Sequence, residues 1–228
     1  MTFSSSFGRV FSPTFQPKSQ AKAGGDWWLA GGVNPTNCVA AYQAKGAASL
    51  TASKVNMANP STYNLIEMNT VSWDAINGWN GNGSGYFKTG ITGANAVAWS
   101  MIIRFSNGGY YGDSMAWGTI TIGKRWAINI NMGTFARVYI GNMFDVAGAQ
   151  MTSGIYSLAG DKLYENGSLI AQSNNEISTV CDELGVLGYN NGGTFTAINI
   201  TKVQAIAFYN TVLTSTQIGL LTTAMESL

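Results

Sequence analysis

Short segments of alternating polar and apolar residues recur along this chain, and glycine or asparagine turns cut each one off. That punctuation constrains the fold more than any other feature, because strands of this length joined by tight turns close into sandwiches or barrels. The strongest segment lies within Ala96–Phe105, at Trp99-Ser-Met-Ile-Ile-Arg-Phe105, with Asn107-Gly108-Gly109 as its turn. Ser72-Trp-Asp-Ala-Ile-Asn-Gly-Trp79 carries a hairpin signal at Asn77-Gly78, and residues 161–165 pair with 168–172 across Asn166-Gly167. Asn-Gly supplies the positive-φ positions of a type I′ turn, whose twist matches that of the strands it joins. Further strands are expected at 115–122, 125–131, 135–140, 151–158, 184–189 and 198–209. Nothing in this order suggests βα units or an internal repeat.

Composition agrees. Of 228 residues, 28 are glycine and 4 proline, and 46% are hydrophobic, enough for one sizeable core. Charged residues make up 10%, against about 25% in ordinary globular chains. A surface so poor in charge is weakly protected against association, which points to life in an assembly; a neutral monomer solubilised by Asn, Ser and Thr is the competing reading. The formal net charge is +1, so no electrostatic footprint for nucleic acid is visible. No apolar run is long enough for a membrane helix.

Two regions flank the β-pattern. Residues 1–25 carry Phe3, Phe7, Phe11 and Phe15 at a constant spacing of four, with Arg9 among them. Serines and Pro13 and Pro17 oppose a helix, so an extended docking arm with four phenyl anchors fits best. A disordered tail is the competing reading, made poorer by the regular aromatics. Residues 26–60 form a lead-in to the 26–228 domain, with a turn at Asn34-Pro35, an apolar run Cys38–Tyr42, and an Ala-rich stretch that fits a short helix or an early strand. At the far end Thr214-Ser-Thr-Gln217 reads as a capping box opening a short helix, with Ile218, Leu221 and Met225 on its packing face.

Chemistry is scarce. The chain has no histidine, which removes Ser-His-Asp and Cys-His nucleophile systems and histidine zinc sites. Glycosidase-type paired carboxylates on one strand do not occur, and adjacent Asp182 and Glu183 are expected on opposite faces of a strand. No catalytic residue, cofactor or metal site is therefore expected; Asp113, Asp145 and Asp182 are conceivable calcium donors but read better as solvated acids. Sugar recognition combines an aromatic with amides and hydroxyls, and two loop clusters have that character: Tyr110-Tyr111 with Asp113, and Tyr189-Asn190-Asn191. The two cysteines, Cys38 and Cys181, read as free buried thiols, with a bridge between them left open.

Several motifs carry a resemblance. Gly85-Tyr86-Phe87, Trp99–Phe105, Leu163-Tyr164-Glu165-Asn166-Gly167, Leu187-Gly188-Tyr189 and Ile206-Ala-Phe-Tyr-Asn210 resemble, in that order, the strands of laminin-G/concanavalin-A-like domains. The match runs from about residue 60 to 226. It implies an all-β, antiparallel two-sheet jelly-roll sandwich with an N-terminal arm and a short C-terminal helix. Arg9-Val-Phe-Ser-Pro-Thr-Phe15, Trp28–Gly32 and Cys38–Tyr42 further resemble bacteriophage structural proteins that place an arm before such a sandwich. The resemblance implies a non-enzymatic structural protein on the surface of a phage-like virion, as a capsid decoration or a fibre or tail component, docked on other virion proteins through its arm and assembled as a homo-oligomer, a trimer by expectation. A carbohydrate-binding adhesion module, with a host-surface glycan as partner, is the alternative; a cellular surface-layer or filament subunit is another. Residues 1–20 lack a secretory h-region, consistent with assembly in a host cytoplasm.

Overall fold

Strands form where the turn punctuation places them. The computed structural model describes residues 25–106, 115–129, 135–147, 151, 153–173, 180–197 and 199–228. The first half holds β1 (Cys38–Gln43), α1 (Leu50–Ser53), β2 (Ile66–Met68), β3 (Ser72–Asp74), β4 (Gly78–Asn82), β5 (Tyr86–Lys88) and β6 (Ser100–Ser106). There follow β7 (Met115–Thr119), β8 (Arg125–Asn129), β9 (Phe135–Ala147), β10 (Gly154–Ala159), β11 (Lys162–Glu165) and β12 (Ser168–Gln172). The chain ends with β13 (Gly185–Val186), β14 (Gly188–Asn191), β15 (Thr194–Ala197), β16 (Asn199–Tyr209) and α2 (Ser215–Glu226).

These strands sort into two sheets. The first runs β12-β11-β10-β6-β16-β4-β3, with β1 also on β16; the second runs β15-β14-β7-β13-β5-β2, with β8 on β7 and β9 on β8. Among the described residues pairing is antiparallel except for one parallel bridge, Asn190 to Thr119, so the second sheet is mixed. Between the sheets Met101, Ile103 and Phe105 of β6 meet Val203, Ile206 and Phe208 of β16 and the tryptophans Trp117 and Trp126, all buried. Trp117 and Trp126 meet edge to face at 4.8 Å, and Phe208 packs on both. Such contacts add about 0.5–1.5 kcal/mol to the area term.

The opposite side of the first sheet is buried too. Ile102, Ala205, Ala207 and Tyr209 pack against Trp27, Trp28 and the inner face of α2, namely Ile218, Leu221 and Met225. The expected capping box is present, with Thr214 accepting from the Gln217 backbone and Gln217 reaching back. Arg104, pointing out of β6, donates to the carbonyls of Met225, Glu226 and Leu228, placing a cation at the negative end of the helix.

Some expectations need correction. The strand expected over Ala96–Phe105 starts at Ser100, because Asn95 folds the preceding residues into a turn that takes the Ala98 and Trp99 N–H groups. Residues 184–189 are two strands, not one, broken where Leu187 adopts φ 57°. The Cys38–Tyr42 run is strand β1, paired to β16 with Tyr42 opposite Ile206. Of the two readings of the Ala-rich stretch the short helix holds: α1 is capped by Ser49, whose hydroxyl accepts from the Ala52 N–H. Tyr189-Asn190-Asn191, expected in a loop, forms most of β14.

The β3–β4 hairpin turns over residues 75–77, so Asn77-Gly78 is not a two-residue turn, and Gly78, at the start of β4, is pinned by close approach. Gly78 has φ +84°, and a Cβ there would stand 2.3 Å from the Val203 carbonyl oxygen. Gly78→Ala is expected to cost about 3 kcal/mol or more in urea unfolding. Gly93→Ala, also at positive φ but with nothing within 4 Å, should cost only about 1 kcal/mol. Equal losses would contradict the packing assignment.

Candidate functional site

At one end of the second sheet the strand ends and turns enclose an open depression of about 490 Å³. Alternation on β5 builds its floor: Phe87 points into the core, so Tyr86 and Lys88 point outward. The chain reverses at Leu187, and β14 and β15 return over this surface. A Cβ on Gly185 would stand 2.8 Å from the Gly188 carbonyl oxygen and 3.3 Å from the Phe195 ring, so the close approach needs glycine there. Phe195 stacks parallel to Tyr86 with centroids 5.4 Å apart, and the Lys88 ammonium lies 4.7 Å from the Phe195 centroid. The aromatic wall is therefore held from two directions.

The polar lining comes from the β7–β8 turn, the segment before β13 and the β14–β15 hairpin. Asn190 is buried, and both ends of its amide are engaged. Nδ2 donates to the Glu183 carbonyl at 3.0 Å, and Oδ1 accepts from the Gly193 N–H at 2.8 Å. Thr121 Oγ1 accepts from the Gly192 N–H at 2.7 Å. Lys124 pairs with Asp182 at 2.9 Å, and Lys88 with Glu183 at 4.0 Å. Glu183 also accepts from the Gly90 N–H. The Lys124 ammonium, with help from the Thr121 hydroxyl, holds the Asp182 carboxyl below its ordinary value despite partial desolvation.

Asp182 and Glu183 correct an expectation drawn from their adjacency. Residues 181–184 are not in a strand, so alternation does not apply, and both residues line the same depression. Asp182 pairs with an ammonium, which is contrary to a calcium ligand's role; among the described residues no group of three or more metal-type side chains occurs. A glycosidase general acid needs a raised pKa, and that of Asp182 is lowered.

β14 divides the Tyr189-Asn190-Asn191 cluster. Asn190 faces the depression, whereas Tyr189 packs against the inter-sheet core and Asn191 is exposed outside the lining. Tyr110, Tyr111 and Asp113 lie outside the described residues, as do Phe3, Phe7, Arg9, Phe11 and Phe15 of the arm. Lys88, Thr121, Lys124 and Phe195 were not singled out from sequence. Outward alternation beside Phe87 is the signal that could have marked Lys88; the others needed the hairpin to fold back.

No protein-family model matches the chain, and no curated protein is significantly similar to it. Solved structures do share its fold. The chain is similar to domain 4 of AbnA, a GH43 extracellular arabinanase from Geobacillus stearothermophilus solved in complex with arabinotriose. The TM-score is 0.53 at 14% identity, over 82% of this chain and 98% of that one. It is also similar to the receptor-binding domain of a botulinum neurotoxin C/D mosaic serotype, with TM-score 0.56 at 10% identity over 83% of this chain. For Trypanosoma rangeli sialidase the TM-score is 0.57 at 13% identity over 84%. The chain spans about half of the toxin domain's length (52%) and a third of the sialidase's (33%). At such identities the likeness establishes the β-sandwich fold alone.

Both cysteines are buried thiols, and burial raises each from its ordinary 9.0 to about 12. Neither serves as a nucleophile near neutral pH. Native protein at pH 8 is expected to leave an aromatic disulfide reagent unreacted, with both thiols titrating once it is denatured. The unfolded thiols ionise near 9 and the folded ones near 12, so their contribution to stability is full below about 9 and declines as pH rises through that window. Rapid native labelling at pH 8 would contradict the burial.

Proposed function

We propose that this protein is a non-catalytic glycan-binding β-sandwich module whose saccharide site is the depression at the end of the second sheet. One observation carries the reading: Phe195, an amide, a hydroxyl and two ion pairs converge on a single concave surface, beside the exposed hairpin glycines Gly192 and Gly193. A sugar ring presents C–H faces and a rim of hydroxyls that both donate and accept. The aromatic wall suits the former, and carboxylate oxygens and ammonium hydrogens suit the latter. The shared fold supports the reading, since AbnA domain 4 was solved with arabinotriose.

The full chain on an array of immobilised oligosaccharides should show saturable binding to at least one. Phe195→Ala should weaken that binding about tenfold or more, with a thermal midpoint that falls only modestly. Absence of saturable binding to any glycan would remove the reading, and full affinity in the variant would move the site elsewhere.

Display on a phage-like particle is a second reading, favoured by the four regularly spaced phenylalanines and Arg9 of residues 1–25. In it the arm docks on capsid or tail subunits and homotrimers present the sandwich outward. Light scattering after size-exclusion chromatography should find the full chain oligomeric and a chain lacking residues 1–25 monomeric. The same monomer in both would rule out arm-driven self-assembly.

A further inference from the structure

Groups that would receive an anion in this depression are already occupied by the protein itself. Carboxylates on a ligand are ordinarily met by ammonium or guanidinium groups, or by convergent backbone N–H groups. Lys124 and Lys88, the two ammonium groups of the lining, each face a carboxylate, Asp182 and Glu183. Lys88 also lies over the Phe195 ring. Three backbone donors in or beside the lining are engaged as well. Gly192 donates to Thr121, Gly193 to Asn190 and Gly90 to Glu183. Two cations against two carboxylates leave the described lining with no net charge.

We propose that the depression selects uncharged saccharides and rejects glycans that carry a carboxylate, such as sialylated or uronic acid-containing ones. The proposal rests on the glycan-binding reading and deepens it. An acidic sugar entering the depression would have to displace Asp182 or Glu183 from its lysine or share that lysine's remaining hydrogens with it. The ligand's own carboxylate would then stand beside the resident one. Either way one carboxylate is left partly desolvated without a full partner, a penalty that an uncharged ring avoids. Hydroxyls of a neutral ring can donate to the outer carboxylate oxygens and accept from the remaining ammonium hydrogens without disturbing either pair. Glu183 gives the sharper handle on this selectivity. A glutamine there keeps an oxygen to accept from the Gly90 N–H while removing the negative charge opposite Lys88.

The test uses the full chain on an array of matched pairs, each a neutral oligosaccharide and its sialylated or uronate counterpart, with lactose and 3′-sialyllactose as one pair. The neutral member is expected to bind about tenfold or more tightly. Its affinity should hardly change between about 0.05 and 0.5 M sodium chloride, since no net ligand charge is screened. Glu183→Gln should narrow the preference by about threefold or more, the worth of one exposed ion pair, with an unchanged far-ultraviolet circular dichroism spectrum. Asp182→Asn should act in the same direction through Lys124. A wild-type preference for acidic members would overturn the inference while leaving the glycan-binding reading in place. A neutral preference that neither variant changes would overturn its electrostatic basis. Binding to no member of any pair would remove the glycan-binding reading itself, and the selectivity with it.

Discussion

One strand holds the molecule together. β16 pairs with β6 along most of its length, while its other edge is shared between β4 over Asn199–Val203 and β1 over Ala205–Tyr209. It is buried on both faces. Val203, Ile206 and Phe208 enter the inter-sheet core, and Ala205, Ala207 and Tyr209 lie beneath the N-terminal tryptophans and α2. At about 1.5–3 kcal/mol for each large apolar side chain removed from water, few segments of the chain matter as much. Its place in the middle of the sheet also ties residues 171 positions apart, Cys38 and Tyr209, into one register.

That arrangement separates the two sheets by role. The first sheet is covered on its outer side by Trp27, Trp28 and α2, clamped by Arg104, so its outer side is devoted to packing. The second sheet carries outward-pointing Tyr86 and Lys88 and, at one end, turns whose polar groups converge on a depression. The depression is held in shape by short-range hydrogen bonds inside its hairpin and by ion pairs across its rim. Asn190 is the pivot, since its amide joins the hairpin to the segment before β13 while its carbonyl accepts from Ile120 and Thr119.

Much of the fold was legible where local chemistry and tertiary context agree. Asn166-Gly167 closes the β11–β12 hairpin as expected, with positive φ at both residues. The Thr214–Gln217 box caps α2, and Ile218, Leu221 and Met225 are buried. Legibility failed where long-range partners decided. Cys38–Tyr42 is a strand because β16 offers it an edge, and Leu187 takes a left-handed conformation because the chain must reverse there. The site was less legible still. Of the cluster Tyr189-Asn190-Asn191, Asn190 alone lines the depression; Phe195 belongs to the same hairpin, while Lys88 comes from β5 and Thr121 and Lys124 from the β7–β8 turn, both distant in the chain.

The sequence by itself determined the class of the molecule. Turn residues with positive-φ tolerance at short intervals, alternating apolar segments and a capped terminal helix depend on interactions within a few residues, so they can be read locally. Tertiary structure alone decided which turns meet. The second sheet's end, the fold-back at Leu187 and the glycines at 185 and 188 bring Asp182, Glu183, two lysines and Phe195 onto one surface. Their charges cancel only because that packing places each ammonium beside a carboxylate, a relation across as many as 95 residues of chain that no local pattern encodes.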